Sequence, residues 1–106
     1  MATDQLLTSE VRVMGMPKDV TVDNMELFFG GAGTIRTDPA TGLPQIERTL
    51  WRSGPGRPLT PNGCGSVTFQ TVRAAKRAVE LFDEKEFAAS PQIMNVWPCY
   101  RERGLP

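Results

Sequence analysis

The sequence predicts an α+β domain with the element order β-α-β-β-α-β, in which two helices cover one face of a four-stranded antiparallel sheet. Three observations predict this fold. Four stretches alternate apolar and polar residues with the period of a strand. Two other stretches each follow a threonine and repeat their apolar residues at helical spacing. The 106 residues suffice for one core, and a hydrophobic content of 40% is ordinary for a globular domain.

The first strand is predicted over residues 10–16. Successive side chains of a strand point to opposite faces of the sheet, so Val11 and Val13 share the face that enters the core. Arg12 and Met14 then share the other face, which we expect to be open to solvent.

The first helix is predicted within residues 19–30. Thr21 is a good N-cap, and acidic residues favour the first turns. Its buried stripe consists of Val22, Met25, Phe28 and Phe29. The glycine-rich run at 30–33 ends the helix. It is not a phosphate-binding loop, because it follows a helix instead of opening one and lacks the Lys-Ser/Thr ending.

The second strand is predicted over residues 45–52, but its two faces are ambiguous because Arg48 falls between Ile46 and Leu50. If Ile46 and Leu50 point inward, the outward residues are Glu47, Thr49 and Trp51. The loop at 52–61 contains three prolines and two glycines, and it is longer than a hairpin requires.

The third strand, over residues 62–69, is the one around which the domain is organised. Val67 and Phe69 can enter the core. The alternate positions, which line the open face, are Asn62, Cys64, Ser66 and Thr68.

The second helix is predicted within residues 71–87, with Thr71 as its cap and a buried stripe of Ala75, Ala78, Val79 and Phe82. The last strand is predicted over residues 93–99. Met94 and Val96 face the core there, whereas the open face receives Asn95, Trp97 and Cys99. Pro98 has no N–H to give to a ladder, so this strand should lie at an edge of the sheet. The complete order is that of a ferredoxin-like fold, in which the sheet order is 4-1-3-2.

The composition excludes several classes of site. Without histidine, the chain lacks the commonest general base and metal ligand. Cys64 and Cys99 are too far apart in sequence to form a zinc pair. On strands separated by a third they lie about 9–10 Å apart, beyond the reach of a disulfide, so we expect two free thiols. The sequence therefore predicts neither an enzyme nor a metal or other cofactor site.

The charge distribution favours a mildly basic surface away from the helices. The whole chain has a net charge of zero. The two helical segments hold seven acidic against four basic residues, a net charge of −3, whereas residues 36–62 carry a net charge of +2. A solvated mixed surface is the alternative interpretation. No run approaches the length of a membrane span and the start has no signal pattern, so a soluble, intracellular protein is expected.

The chain resembles an RNA-recognition motif. The octapeptide of that motif, Lys/Arg-Gly-Phe/Tyr-Gly/Ala-Phe-Val-x-Phe/Tyr, is matched in the third strand at Gly63, Gly65, Val67 and Phe69. More narrowly, residues 20–35 and 68–87 resemble the FET family, the Ewing-sarcoma protein and its relatives, whose octapeptides also lack aromatic residues. The family's lysine pair before a Thr-Gly turn is Pro39-Ala40 here, so one family contact to RNA is missing. The resemblance covers about 9–101, between a flexible N-terminus at 1–8 and a flexible tail at 102–106.

The resemblance implies a monomeric module that binds single-stranded or structured RNA in RNA processing, in the nucleus and also in the cytoplasm. Ordinary motifs stack bases on aromatic residues of the central strands, which are absent here, so we expect weak binding. Trp97 and Trp51 can compensate, although packing in the core or loop is the alternative for both. The candidate RNA-binding residues are Arg12, Met14, Trp51, Arg52, Arg57, Asn62, Cys64, Ser66, Asn95, Trp97, Arg101 and Arg103. For the two loop arginines, solubility is the alternative role.

The alternative function is that of a protein-interaction domain on the same scaffold, with a partner bound through the acidic helical face. A known variant of this kind uses an Arg-x-Phe loop before the last strand. The corresponding residues 83–87 lack the arginine.

Overall fold

A four-stranded antiparallel sheet forms the centre of the structure, a computed structural model that describes residues 5–52, 54–87 and 92–102. With the strands numbered along the chain, the sheet order is β2-β3-β1-β4. The third strand, which carries the octapeptide, and the first strand are therefore central. This is the predicted order, and it confirms the fold class. The strands are β1 (Gln5–Met14), β2 (Ile46–Trp51), β3 (Thr60–Thr68) and β4 (Asn95–Glu102).

Two capped helices lie on one side of this sheet, α1 (Val22–Phe29) and α2 (Val72–Phe82), and a 3₁₀ turn (Gly30–Ala32) continues α1. Thr21 accepts a hydrogen bond from the Asn24 N–H at 3.0 Å, and the Asn24 side chain accepts one from the Thr21 N–H at 3.2 Å. Thr71 caps α2 by accepting from the Ala74 N–H at 3.1 Å. Both predicted N-caps are confirmed, and each satisfies a backbone donor that the helix leaves free.

The second helix ends at Phe82, earlier than predicted. The N–H of Glu84 donates to the Met94 carbonyl at 2.9 Å, and the N–H of Met94 donates to the Lys85 carbonyl at 2.8 Å. The chain after Phe82 therefore pairs with the segment before β4, and these bonds replace those of another helical turn.

The hydrophobic core fills the space between the sheet and the helices. Its largest fully buried side chains are Phe29, Phe69, Met16, Met25, Met94, Val11, Val13, Val67 and Val96. Phe28 packs against Phe82 and Phe87 with ring centroids 4.7 and 4.5 Å apart, which ties α1 to α2 and to the turn that follows it. The core residues predicted for β1, β3 and β4 are thus confirmed.

The first strand begins at Gln5, several residues before its predicted start at residue 10. Gln5 pairs with Glu102, and the pairing register shifts between Leu7 and Val11. The Thr8 hydroxyl donates to the Cys99 carbonyl at 2.9 Å, near this irregularity. The apolar alternation that indicated a strand starts only beyond the shift, which is why the sequence did not reveal the earlier part.

The second strand shows why its two faces were ambiguous. Its register shifts between Arg48 and Leu50, so the strict alternation of sides is lost there. Ile46 is buried and Leu50 is 47% exposed, so the two residues do not point inward together, which was one of the alternatives left open by the sequence. Arg48 lies partly buried and donates to the Val20 carbonyl at 2.9 Å.

Two glycines of β3 allow other parts of the backbone to come close. Gly63 has a φ of 82°, and a Cβ there would collide with the Met16 carbonyl oxygen. A Cβ at Gly65 would collide with the carbonyl oxygen of Glu47 on β2. Both positions therefore require glycine for packing of the fold, independently of any ligand.

Candidate nucleic-acid interface

One row of four side chains crosses the sheet on the face opposite the helices. Strand pairing places Glu47 beside Ser66, Ser66 beside Arg12, and Arg12 beside Trp97. We call these four residues the central row. With about 4.8 Å between neighbouring strands, the row spans about 14 Å. That span is enough for more than one nucleotide base.

The central row is accessible from solvent. The Arg12 side chain is 59% exposed and Trp97 is 42% exposed, while Ser66 between them is partly buried. Trp97 is therefore on the open face as predicted, and core packing does not account for it. The row provides an indole and a guanidinium, two flat groups on which a base can stack.

Glu10 lies beside Arg12, and Glu47 lies on the same face two strands away. Its Nε lies 3.8 Å from the Glu10 carboxylate. The pKa of Arg12 is raised above its usual value, chiefly by hydrogen bonding to Cys99 and by the charge of that thiol when ionised, then by Glu10 and, more weakly, by Glu47. The guanidinium therefore remains charged while its field is partly neutralised. Such a group suits stacking better than the capture of a phosphate.

A second pair of open-face residues lies two positions along β1 and β4 from the central row, where Met14 pairs with Asn95. Met14 is 48% exposed, and Asn95 is exposed as well. On β3, the Asn62 side chain accepts a hydrogen bond from the Cys64 N–H at 3.1 Å, so its oxygen stabilises the local turn. Cys64 and Cys99 are free thiols on strands separated by β1, as predicted.

The predicted loop residues form a separate cluster at the far end of the β2–β3 hairpin. Trp51 pairs with Thr60, six residues before Ser66 in β3, or about 20 Å along the strand. Arg52 and Arg57 follow on an exposed turn, which the Arg57 N–H closes by donating to the Gly54 carbonyl at 3.2 Å. We call Trp51, Arg52 and Arg57 the hairpin tip. The structure does not bring it together with the central row.

The tail arginines are described only in part. The backbone of Arg101, in the edge strand β4, pairs with that of Leu6 in β1. Its side chain and all of Arg103 lie outside the described residues.

A shallow groove of about 390 Å³ lies beside the central row, at the other end of the sheet from the hairpin tip. Three acidic residues, Glu10, Asp38 and Glu47, line it together with Ser66 and Thr68. None of these three acids was among the predicted site residues. Glu10 could have been found, because it precedes Arg12 by two positions and so shares its face.

The described residues give no indication of two other kinds of site. None of their helices is long and apolar enough to cross a membrane. Nor do three or more Cys, Asp or Glu residues of the described part group as they would around a metal ion.

Several curated proteins are similar in sequence over most of the chain, whereas no model of a known protein family matches it. The splicing factor U2AF-associated protein 2 of Schizosaccharomyces pombe is 34% identical over 92 residues, which are 86% of this chain and 24% of that protein. The RNA-binding protein cabeza of Drosophila melanogaster is 30% identical over 86 residues, 79% of this chain and 21% of that protein. The chain thus spans about a quarter or less of these relatives.

Solved structures share the fold at lower sequence identity. The second quasi-RNA-recognition motif of Glorund superposes with a TM-score of 0.64 at 21% identity, covering 85% of this chain and 86% of that one. The Sxl-lethal protein in complex with RNA gives the same TM-score at 19% identity, covering 84% and 46%. The third RNA-recognition motif of Mip6 gives 0.61 at 16% identity, covering 87% and 94%. At these identities the similarity shows the fold alone.

Proposed function

We propose that this chain, whose fold is that of an RNA-recognition motif, is a monomeric module that binds single-stranded or loop RNA weakly in RNA processing. It acts by binding and not as an enzyme. The observation that carries the proposal is the central row, which puts Arg12 and Trp97 side by side on the open face. The similarity to the splicing factor U2AF-associated protein 2 and to the RNA-binding protein cabeza supports it.

Trp97 provides most of the affinity. A base stacked on an aromatic side chain contributes about 1–3 kcal/mol. On the open face of β1 and β3, where ordinary RNA-recognition motifs have aromatic residues, this chain has Arg12, Cys64 and Ser66. The only aromatic side chain in the central row therefore comes from the edge strand β4. A second base stacks on the Arg12 guanidinium, with Ser66 as its hydrogen-bonding neighbour. Met14, Asn62, Cys64 and Asn95 border the bound strand.

The hairpin tip provides a second, electrostatic contact. Arg52 and Arg57 are exposed cations beside the exposed Trp51, an arrangement that suits phosphates and one stacked base. Because the tip lies about 20 Å from the central row, only an RNA of several nucleotides reaches both. A further RNA contact by Arg101 and Arg103 stays a prediction from the sequence.

The chain is related to the FET family, and it acts in the nucleus and also in the cytoplasm. The ungapped resemblance of residues 20–35 and 68–87 supports this relation. Pro39-Ala40 replaces the family's lysine pair, so the chain depends on the central row and the hairpin tip instead.

A protein-interaction role is the second candidate, and one observation favours it. Leu27 is 82% exposed on α1, next to Glu26 and one helical turn from Asp23. An exposed leucine between carboxylates suits a basic, apolar partner segment. This role concerns α1 and leaves the open face of the sheet free.

The test is an NMR titration of the labelled 106-residue chain with short single-stranded RNA pools at low and physiological salt. We expect shifts at Arg12, Ser66 and Trp97 that persist with salt, and shifts at Arg57 that fade, because phosphate contacts weaken with ionic strength. Tyr100→Ala is the matched control, since it removes an exposed aromatic residue of β4 outside the central row. No shift of the central row at high RNA concentration would refute RNA binding by this face.

A further inference from the structure

The outward face of α2 combines cations with exposed apolar side chains. A shallow groove of about 740 Å³ runs along it, lined by Val72, Arg73, Lys76, Arg77, Glu80 and Leu81. We call these six residues the α2 face. The side of the helix that packs into the core is formed instead by Ala74, Ala75 and Ala78, so the fold itself needs none of the six.

The cations of the α2 face are unpaired. Within the described part of the chain, the one ion pair is that of Arg12 with Glu10, on the other side of the sheet. Glu80 follows Lys76 by one helical turn, but their charged atoms are not within 4 Å. The three cations outnumber this one carboxylate, and α2 carries a net charge of +2. Unpaired cations this close together repel each other, so an anionic partner would stabilise them.

Two apolar side chains stand at the ends of this basic stretch. Val72 is 39% exposed and Leu81 is 42% exposed. They are nine residues apart, which is about 13.5 Å along the helix axis and half a turn around it, so they lie at opposite margins of the α2 face. Arg73 and Arg77 lie between them, and the same two arginines also line a smaller groove against residues 32–34.

The neighbouring surfaces differ in charge. On α1 the charged residues are Asp23 and Glu26, both acidic. On the open face, Arg12 is flanked by Glu10 and Glu47. The α2 face is thus a basic surface on the opposite side of the sheet from the central row.

We propose that the α2 face docks an acidic helix of a partner protein, which has apolar side chains at the two margins of its contact face. Carboxylates of that helix pair with Arg73 and Arg77, while two apolar side chains, spaced to match, contact Val72 and Leu81. Charge complementarity selects an acidic occupant. A nucleic acid would use the cations but has no need of the apolar ends, which is why a protein helix fits better. The binding site is separate from the proposed RNA face.

The test is a titration of the labelled 106-residue chain with a synthetic helical peptide of about 18 residues, long enough to pass both apolar ends. The peptide carries two leucines nine positions apart with glutamates between them, and a control peptide has lysine in place of each glutamate. We expect shifts confined to α2 with the acidic peptide and none with the control. The double charge reversal Arg73→Glu/Arg77→Glu should weaken binding at least about tenfold. The double variant Val72→Ser/Leu81→Ser should weaken peptide binding severalfold and leave the salt dependence of that binding unchanged.

Three outcomes would overturn the proposal. The first is the absence of α2 shifts at millimolar peptide, with the fold shown intact by the rest of the spectrum. The second is that single-stranded RNA shifts the α2 amides and competes with the peptide, which would assign the face to phosphates. The third is that the chain alone shifts the α2 amides with concentration and that Asp23→Lys/Glu26→Lys abolishes this, which would make α1 of a second copy the occupant.

Discussion

The two faces of the sheet differ in the residue types that they carry and in their exposure. All five phenylalanines lie on the helix-covered side, whereas both tryptophans are exposed. On that side β1 and β3 keep apolar residues, such as Val11 and Val67, at no exposure. On the open side the same two strands carry Arg12 and Ser66 in place of aromatic residues.

This difference shows that stability and binding are separable within a single strand. In β3, Val67 contributes to the core, while Ser66 next to it belongs to the central row. The fold therefore constrains every second residue strongly and leaves the others free to change with the ligand. The changes described below test this separation from the largest effect to the smallest.

The largest effect is expected from Phe69→Ala, which removes a fully buried ring. We expect the free energy of unfolding to fall by about 3–5 kcal/mol, as is typical when a buried phenylalanine is truncated. Urea denaturation followed by tryptophan fluorescence measures it, and Phe69→Leu, with a smaller loss, covers the case in which the alanine variant does not fold. Thr68→Ala, one position away, should change stability by less than about 1 kcal/mol. Equal losses at 68 and 69 would contradict the separation.

Trp97→Ala should affect binding instead of stability. We expect RNA affinity to fall about 5- to 150-fold, which corresponds to the loss of one stacked base. The midpoint of urea denaturation should hardly move, because the ring is 42% exposed. Fluorescence anisotropy with a labelled single-stranded RNA measures the affinity. A large loss of stability with unchanged affinity would mean that Trp97 belongs to the packing of the sheet.

Ser66→Phe should restore part of the missing stacking surface. Ser66 lies between Glu47 and Arg12 in the central row, so a ring there would be presented beside Arg12. We expect RNA affinity to rise about fivefold, the lower end of the contribution of one stacked base. The same anisotropy assay measures it, with Ser66→Leu as a control for added apolar area. An equal gain with leucine would show that stacking is not the cause.

The smallest effect is expected from Glu10→Gln, which removes the ion-pair partner of Arg12. Both side chains are partly exposed, and such pairs contribute little. RNA affinity should therefore rise less than about fivefold, and the rise should disappear at high salt because it depends on an unmasked charge. Affinity compared at two salt concentrations is the measurement. A loss of affinity would indicate that Glu10 itself accepts a hydrogen bond from the RNA.

Alternation and capping were sufficient to predict most of the fold, but not the irregular positions. Thr21 and Thr71 indicate where the helices begin, because a threonine before an apolar stripe can accept a hydrogen bond from a backbone N–H of the first turn. The register shifts in β1 and β2 depend on which strand lies opposite, and no local pattern contains that information. For the same reason the sequence left open which side of the sheet Leu50 takes.

The candidate site was predictable as a face but not as a set of contacts. Arg12, Ser66 and Trp97 were assigned to one side by alternation, and strand pairing makes them neighbours. Their distance from Trp51 and the flanking of Arg12 by Glu10 and Glu47 follow from the length of the hairpin and the strand order. Arg48 was counted among the basic residues of the stretch 36–62, yet its guanidinium donates a hydrogen bond to the Val20 carbonyl.

The pairing of Gln5 with Glu102 has a topological consequence. Because these two residues face each other across adjacent antiparallel strands, their Cα atoms are about 5 Å apart. The domain can therefore be placed inside another polypeptide with little separation of the flanking segments. The same proximity makes the fold a candidate for circular permutation, with residues 5 and 102 joined by a short linker and new termini opened in the turn near Gly56, where a side chain would meet no neighbour.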